Sequence, residues 1–212
     1  MKRFRDIGLI ILLAVLPARG AVIDRIAALV DRQVITLSEI NQMAAIRFFP
    51  HPPGQSDDDY RHDILESLIA QALRYRDVER FGAADVSKDA IEARLQQIEA
   101  RFASPEAFND AVQRSELTLD EVRALVKRQL QVETYIQERF APMIFVSSQE
   151  IETYYRGPWS EERRKRGLPI PPLASVQDEI RTLLKSTRLQ QEVQRWTAQL
   201  RSRANVDIYT WR

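Results

Sequence analysis

The chain of 212 residues contains no cysteine, two histidines and six glycines, and its formal net charge is only +1. Without cysteine there is no disulfide, thiolate zinc site, iron–sulfur cluster, cysteine nucleophile or lipidated N-terminal cysteine. Two histidines fall short of the three or four coherently spaced ligands that a metal site needs. His51 lies among prolines and His62 at the start of a helix, and both read as exposed polar residues. No metal and no cofactor is expected. The scarcity of glycine weighs against glycine-rich phosphate loops and turn-rich all-β folds. Neither G-x-S-x-G nor G-x-x-x-x-G-K-S/T occurs. The near-neutral charge speaks against a nucleic-acid partner, which normally draws a basic excess. No apolar run reaches the ~18 residues of a spanning helix.

The small net charge conceals an asymmetry. Lys2, Arg3, Arg5 and Arg19 against Asp6 give the first twenty residues +3, so the remaining 192 carry −2. A basic head, the ten-residue apolar run Ile7–Leu16, then Pro17, Ala18 and Gly20 form the three parts of a secretory signal peptide cleaved before Ala21. As a helix that run would span ~15 Å, half of a bilayer core. Residues 1–20 are therefore expected to direct export, leaving a chain with no stable membrane insertion.

Helices dominate the chain after residue 20. Residues 22–37 hold two apolar, β-branched runs around Asp31-Arg32-Gln33, a short hairpin without the Asn-Gly or Asp-Gly that would fix its turn. Thr36 and Ser38 compete to cap the first helix, whose apolar positions Ile40, Met43 and Ile46 lead to an end near Phe48-Phe49. After a proline loop, Asp57, Asp58 and Asp59 put negative charge at a helix N-terminus, where the macrodipole favours it. They lack the glycine and glutamate spacing of a calcium loop. Ile64, Leu65, Leu68, Ile69, Ala72 and Leu73 make a clean amphipathic stripe ending near Gly82. Ser87, Ser104-Pro105, Thr118-x-x-Glu121 and Ser147-x-x-Glu150 start four further helices, the first of them with Phe102 on its inward face. Residues 156–170, with Gly157-Pro158 and the cluster from Glu161-Glu162 to Arg163-Arg164-Lys165-Arg166, read as a solvated loop or linker. A long helix begins after Pro171-Pro172, and Val206, Ile208 and Thr210 alternate as a terminal strand. A lone strand leaves its backbone groups unsatisfied, so the opening hairpin is its expected partner.

No catalytic constellation emerges. Carboxylate pairs such as Glu161-Glu162 sit in no apolar segment that would raise a pKa. The aromatics off the helical stripes are more suggestive. Phe48, Phe49, Phe145 and Trp159 lie at helix ends or in loops, and with Met43 and Met143 they are expected to line an apolar peptide-binding groove.

Several segments together resemble the SurA-like periplasmic chaperones. The opening I-A-A-L-V-D-R-Q-V-I-T-L-S-E-I is similar to that family's hairpin and first helix. The segments I-L-E-S-L-I-A-Q-A-L, V-S-K-D-A-I-E-A-R-L, E-A-F-N-D-A-V-Q-R-S-E-L-T-L-D-E-V-R-A-L-V-K-R-Q-L and V-S-S-Q-E-I-E-T-Y-Y come next in the family's order. The tail from V-Q-D-E-I-R-T-L-L-K to V-D-I resembles its closing helix and strand. The resemblance implies a mainly α chaperone domain with the hairpin paired to the C-terminal strand. It would consist of a signal peptide at 1–20, a helical core at 21–155, a linker at 156–171, and a helix and strand at 172–212 completing the core. Many members carry parvulin peptidyl-prolyl isomerase domains between the Y-Y helix and the closing helix. Here residues 156–170 stand there, too few for a folded domain of at least ~50 residues, and no histidine comes after His62. The resemblance thus implies a non-enzymatic, ATP-independent periplasmic chaperone for unfolded polypeptides, outer-membrane proteins foremost. The alternatives are an isomerase-family enzyme and an adaptor for one folded envelope partner. The sequence leaves the oligomeric state open.

Overall fold

A computed structural model describes residues 24–209; the segment read as a signal peptide, and Thr210, lie outside them. Two strands, β1 (Ile26–Val30) and β2 (Gln33–Thr36), lead into α1 (Leu37–Ala45), α2 (Asp57–Phe81), α3 (Lys88–Glu99), α4 (Pro105–Arg114) and α5 (Leu119–Arg139). A 3₁₀ turn at Ala141–Met143 precedes α6 (Ser148–Tyr154). A π turn at Tyr155–Trp159 runs into α7 (Ser160–Lys165), and α8 (Leu173–Arg203) and β3 (Val206–Ile208) complete the chain. The architecture is mainly α with one three-stranded antiparallel sheet in the order β2-β1-β3, as the sequence leads one to expect.

Among the described residues, six of the eight α-helices begin on a serine or threonine whose side chain accepts an N–H of the first turn: Thr36, Ser56, Ser87, Ser104, Thr118 and Ser147. Each satisfies one of the backbone donors that a helix start orphans. Thr36 wins the competition with Ser38, whose N–H instead donates to Asp24 Oδ1 at 3.2 Å.

Helix ends are less conventional. Phe48 N–H donates to Met43 O and Arg47 N–H to Ala44 O, with Arg47 in the left-handed region at φ 49°. The same double bond closes α4, from Leu117 to Val112 O and from Glu116 to Gln113 O, with Glu116 at φ 57°. These are Schellman closures in which Arg47 and Glu116 stand where glycine is usual, each at a steric cost of about 1 kcal/mol. The first closure ends α1 at Ala45, three residues before the expected Phe48-Phe49. Likewise α3 stops at Glu99, leaving Phe102 in the turn beyond it.

The largest correction is at 156–170. The π turn and α7 make residues 155–165 helical where proline and charge suggest a loop. Gly157 takes a non-helical conformation (φ −99°, ψ −107°), which absorbs the kink at Pro158. Ser160 Oγ donates to Tyr155 O at 2.5 Å, satisfying a carbonyl of the turn, and Trp159 is buried below.

Three apolar clusters hold these elements. The main one joins the sheet, α1 to α4, and the first half of α5 through Ile35, Ile40, Met43, Leu65, Ile69, Phe108 and Val122. A second unites Val78, Val132, Tyr135 and Phe140 with Trp196 of α8. The third consists of Val146, Ile151, Trp159, Val176 and Ile180 and forms a satellite lobe from one stretch of chain. The 31-residue α8, ~46 Å long at ~1.5 Å per residue, links the lobe to the body.

The chain ends meet at Asp31. Val30 pairs with Gln33 across a two-residue turn, with Asp31 at φ 52°, a conformation aspartate tolerates better than most residues. Asp31 N–H donates to Asn205 O (2.7 Å), Asp31 Oδ1 accepts Asn205 N–H (2.8 Å), and its other oxygen pairs with Arg76 of α2. Asp31→Ala should therefore cost about 2 kcal/mol in chemical denaturation, mostly the carboxylate-to-backbone bond. Glu116→Gly, which relieves a left-handed residue of its Cβ, should gain about 0.5–1 kcal/mol in the same measurement.

Candidate functional site

Among the concavities of the described residues, one lies on the body and one against the satellite lobe. The larger is an open cleft of about 650 Å³ between the Phe49–Pro52 loop, α2 and α5. Tyr60 sets its rim. Its hydroxyl donates to Phe49 O at 2.7 Å, and its ring stacks on His51 at 4.1 Å between centroids, only 6° from parallel. His51 Nε2 lies 3.2 Å from Gln55 O, so this histidine serves the loop. Apolar walls come from Phe49, Pro50, Pro52, Ile64, Val132 and Ile136.

The charged residues of the cleft are mostly engaged. Glu133 takes a bidentate pair from Arg94 at 2.8 and 2.9 Å, Glu66 pairs with Arg201 of α8, and Asp63 accepts Gln55 Nε2. Arg74 differs: its Nε donates to Thr197 Oγ1 at 2.7 Å, and among the described residues no carboxylate lies within ion-pair distance. Burial pulls its pKa below the ordinary guanidinium value, though an arginine stays charged. The cleft therefore offers an apolar trough with one cation whose remaining N–H donors are free to meet a carbonyl or carboxylate.

The smaller concavity, about 400 Å³, lies against the satellite lobe and is lined by Tyr154, Pro158 and Leu184 with Gln149, Thr153, Glu150 and Arg188. Arg188 is its clasp, donating to Phe145 O and to Glu150. Glu150 also closes the capping box with Ser147, accepting its N–H at 2.8 Å. The Arg188 guanidinium, with the Ser147 bonds, holds the Glu150 pKa down at about 2.

The six aromatic and methionine residues singled out in the sequence do not converge. Met43 and Phe48 are buried in the main core, as the facing pair of the α1 closure, and Trp159 is buried in the satellite lobe. Phe49 is half-buried and lines the larger cleft. Met143 and Phe145 stand out into solvent at 67% and 75% exposure, on the segment that joins α5 to α6, and line neither concavity. Several cleft residues escaped the sequence reading. Tyr60, Ser67, Ala70 and Arg74 recur at helical spacing beside the core stripe of α2, so a second, mixed face was the available signal. Glu39, the third residue after the Thr36 cap, lies outside this cleft; burial raises its pKa, partly offset by the hydrogen bond from the Thr36 backbone and by Arg128.

Among the described residues no three histidine, cysteine, aspartate or glutamate side chains converge as a cation site, and no helix is long and apolar enough to cross a membrane. No family model matches the chain. The Chaperone SurA of Pseudomonas putida is 28% identical over 187 residues, which cover 82% of this chain and 43% of that protein. The Chaperone SurA of Pseudomonas syringae pv. tomato is 29% identical over 156 residues, 70% of this chain and 36% of that one. The chain is thus similar to SurA chaperones over most of its length. A third such chaperone, from Chromohalobacter salexigens, is 24% identical over 166 residues and 73% of this chain. The SurA-like chain spans about two fifths of the length of the curated relatives it matches.

The Glu150–Arg188 clasp has a pH signature. A carboxyl whose folded pKa is depressed stabilises fully above its unfolded value of 4.5, and that contribution is lost as pH falls toward about 2. In thermal melts from neutral pH down to about 2, Glu150→Gln should show a shallower acid limb than the parent. Equal slopes would remove Glu150 from the acid response.

Proposed function

We propose that this chain is a periplasmic, ATP-independent chaperone that holds unfolded, extended envelope polypeptides, outer-membrane proteins foremost, without catalysing their isomerisation. The observation that carries the reading is the exposure of Met143 and Phe145, two large apolar side chains in one short segment, in a chain similar to SurA chaperones. Met143 and Phe145 are the two most exposed large apolar side chains among the described residues, and a client segment laid on them would take both out of water. Covering a phenylalanine and a methionine supplies about 1.5–3 kcal/mol each, which suits many weak contacts along an extended client. Arg74 and the polar rim of the cleft provide donors for client carbonyls, which are common to every sequence. The flexible methionine adapts to differing side chains. Such binding needs no nucleotide.

Isomerisation is not part of the proposal. The connection between α6 and α8 is occupied by the π turn, α7 and a short proline segment; His51 stacks on Tyr60 and His62 lies near the start of α2. The export signal proposed at residues 1–20 supplies the compartment.

The test is suppression of aggregation of an unfolded outer-membrane barrel protein at a stoichiometric ratio. Met143→Ser with Phe145→Ser should weaken suppression by about tenfold while leaving the melting temperature unchanged, since both side chains are exposed. Full suppression by the double variant would remove these residues from the site. Acceleration of proline-limited refolding at substoichiometric protein would favour an enzyme. One stable folded partner, with indifference to unfolded chains, would favour an adaptor.

A further inference from the structure

The tip of the satellite lobe, between α7 and α8, has no place in the client reading, and its chemistry is different. α7 ends in a third Schellman closure, with Gly167 N–H on Arg164 O (3.0 Å), Leu168 N–H on Arg163 O (2.9 Å) and Gly167 at φ 67°. Arg163 Nε donates to Pro169 O and Tyr155 Oη to Pro171 O, both at 2.7 Å, while the Arg163 guanidinium lies over the Trp159 ring. Pro169, Pro171 and Pro172 restrict the backbone further. The segment is thus held in shape, and what it holds outward is Leu168 and Ile170, 44% and 41% exposed, directly after four consecutive basic residues.

Of those four, Arg166 is paired with Glu162 and Arg163 is spent on the loop. Arg164 and Lys165 are exposed and, among the described residues, have no carboxylate within ion-pair distance. Glu161 and Glu162 sit a turn back along α7. Neither concavity involves the tip. An extended polypeptide is bound by a groove, as at the two concavities. An exposed tip bearing two aliphatic side chains and two cations without carboxylate partners among the described residues fits a broad surface that is anionic outside and apolar beneath.

We propose that this tip docks on an anionic lipid bilayer, Arg164 and Lys165 meeting the headgroups while Leu168 and Ile170 enter the acyl boundary. Neither signal suffices alone: a small apolar insertion gives marginal binding, and a basic patch supplies the second attraction. The rest of the chain after residue 20 is slightly acidic, so attraction is confined to the tip and attachment is reversible. Docked there, the lobe lies against the membrane and the cleft of the body stays open.

The absence of cysteine allows a local probe in the full chain. Ile170→Cys and, as a control on the exposed face of α4, Gln113→Cys are labelled with an environment-sensitive fluorophore. Each is titrated with vesicles of equal phosphatidylglycerol and phosphatidylcholine, and with phosphatidylcholine alone. The expected result is a blue shift at position 170 with the anionic vesicles and none at 113. The apparent affinity should fall at least about tenfold when Arg164→Glu and Lys165→Glu are added or salt is raised to about 0.5 M. Absence of the shift, an equal shift at 113, or an equal shift with phosphatidylcholine alone would overturn the proposal. So would the same shift on adding polyglutamate without vesicles, which would assign the tip to acidic polypeptides. Aggregation suppression is measured separately, so failure here leaves the client reading standing.

Discussion

Everything in this molecule hangs on β1 having a neighbour on each side. β2 arrives through a two-residue turn, at almost no entropic cost. β3 arrives from more than 170 residues away and pairs through Ala28, Leu29 and Val30. Loop-closure entropy grows only logarithmically with separation, so three residue pairs and the Asp31–Asn205 clasp can sustain the contact once α8 is docked. Docking comes from Trp196 and Leu200 in the second cluster, Arg74 with Thr197, and Glu66 with Arg201. The sheet and the body therefore stabilise each other. β3 has no backbone partner without the hairpin, and β1 without β3 would expose an edge.

That dependence explains which parts of the fold were legible. Helix starts are written in side chains that act locally: a serine or threonine oxygen meets an N–H two or three residues on, whatever the rest of the chain does. Thr118-x-x-Glu121 and Ser147-x-x-Glu150 accordingly form the capping boxes their spacing describes. The pairing of β3 with β1 was legible by elimination, because a strand at one end and a hairpin at the other leave each other as partners. Helix ends were not. Where glycine is scarce, Asp31, Arg47 and Glu116 adopt left-handed backbone instead, and nothing in those residue types announces it. The Gly157-Pro158 pair misled in the opposite direction. Glycine took the kink and proline came after it, so the dipeptide that reads as a stop became a bend inside a helical run.

The candidate site was legible only in part, for a related reason. An aromatic at a helix end is either a free contact residue or the hydrophobic partner in the closure of that helix. Phe48 is the second kind, because Arg47 turns the chain back and sets Phe48 on Met43. Trp159 is the second kind too, since the kink rotates it inward. Phe145 escapes because Val146, its neighbour, plugs the satellite cluster, and in extended backbone successive side chains point to opposite sides. A residue-type criterion finds both kinds and cannot separate them. Separation needs the closure geometry, which rests on non-glycine residues in left-handed conformation.

The satellite lobe shows how such a site can coexist with a marginal fold. Its five buried residues all come from 146–180, and along α8 no residue between Ile180 and Trp196 is buried. Over about four turns the helix thus holds lobe and body together with little apolar packing. What spans that gap is the half-buried Leu184 and Leu189, with Arg188 donating to Glu150 and to the carbonyl of Phe145. Opening free energies track local burial, so this bridge, and not the main core, is the least costly part of the chain to deform. Met143 and Phe145 sit on the other strand of the same bridge. Met143 and Phe145 are therefore placed where displacement does not disturb the Asp31 clasp, and Arg188, which donates to both Glu150 and the Phe145 carbonyl, sets how far the bridge holds its shape.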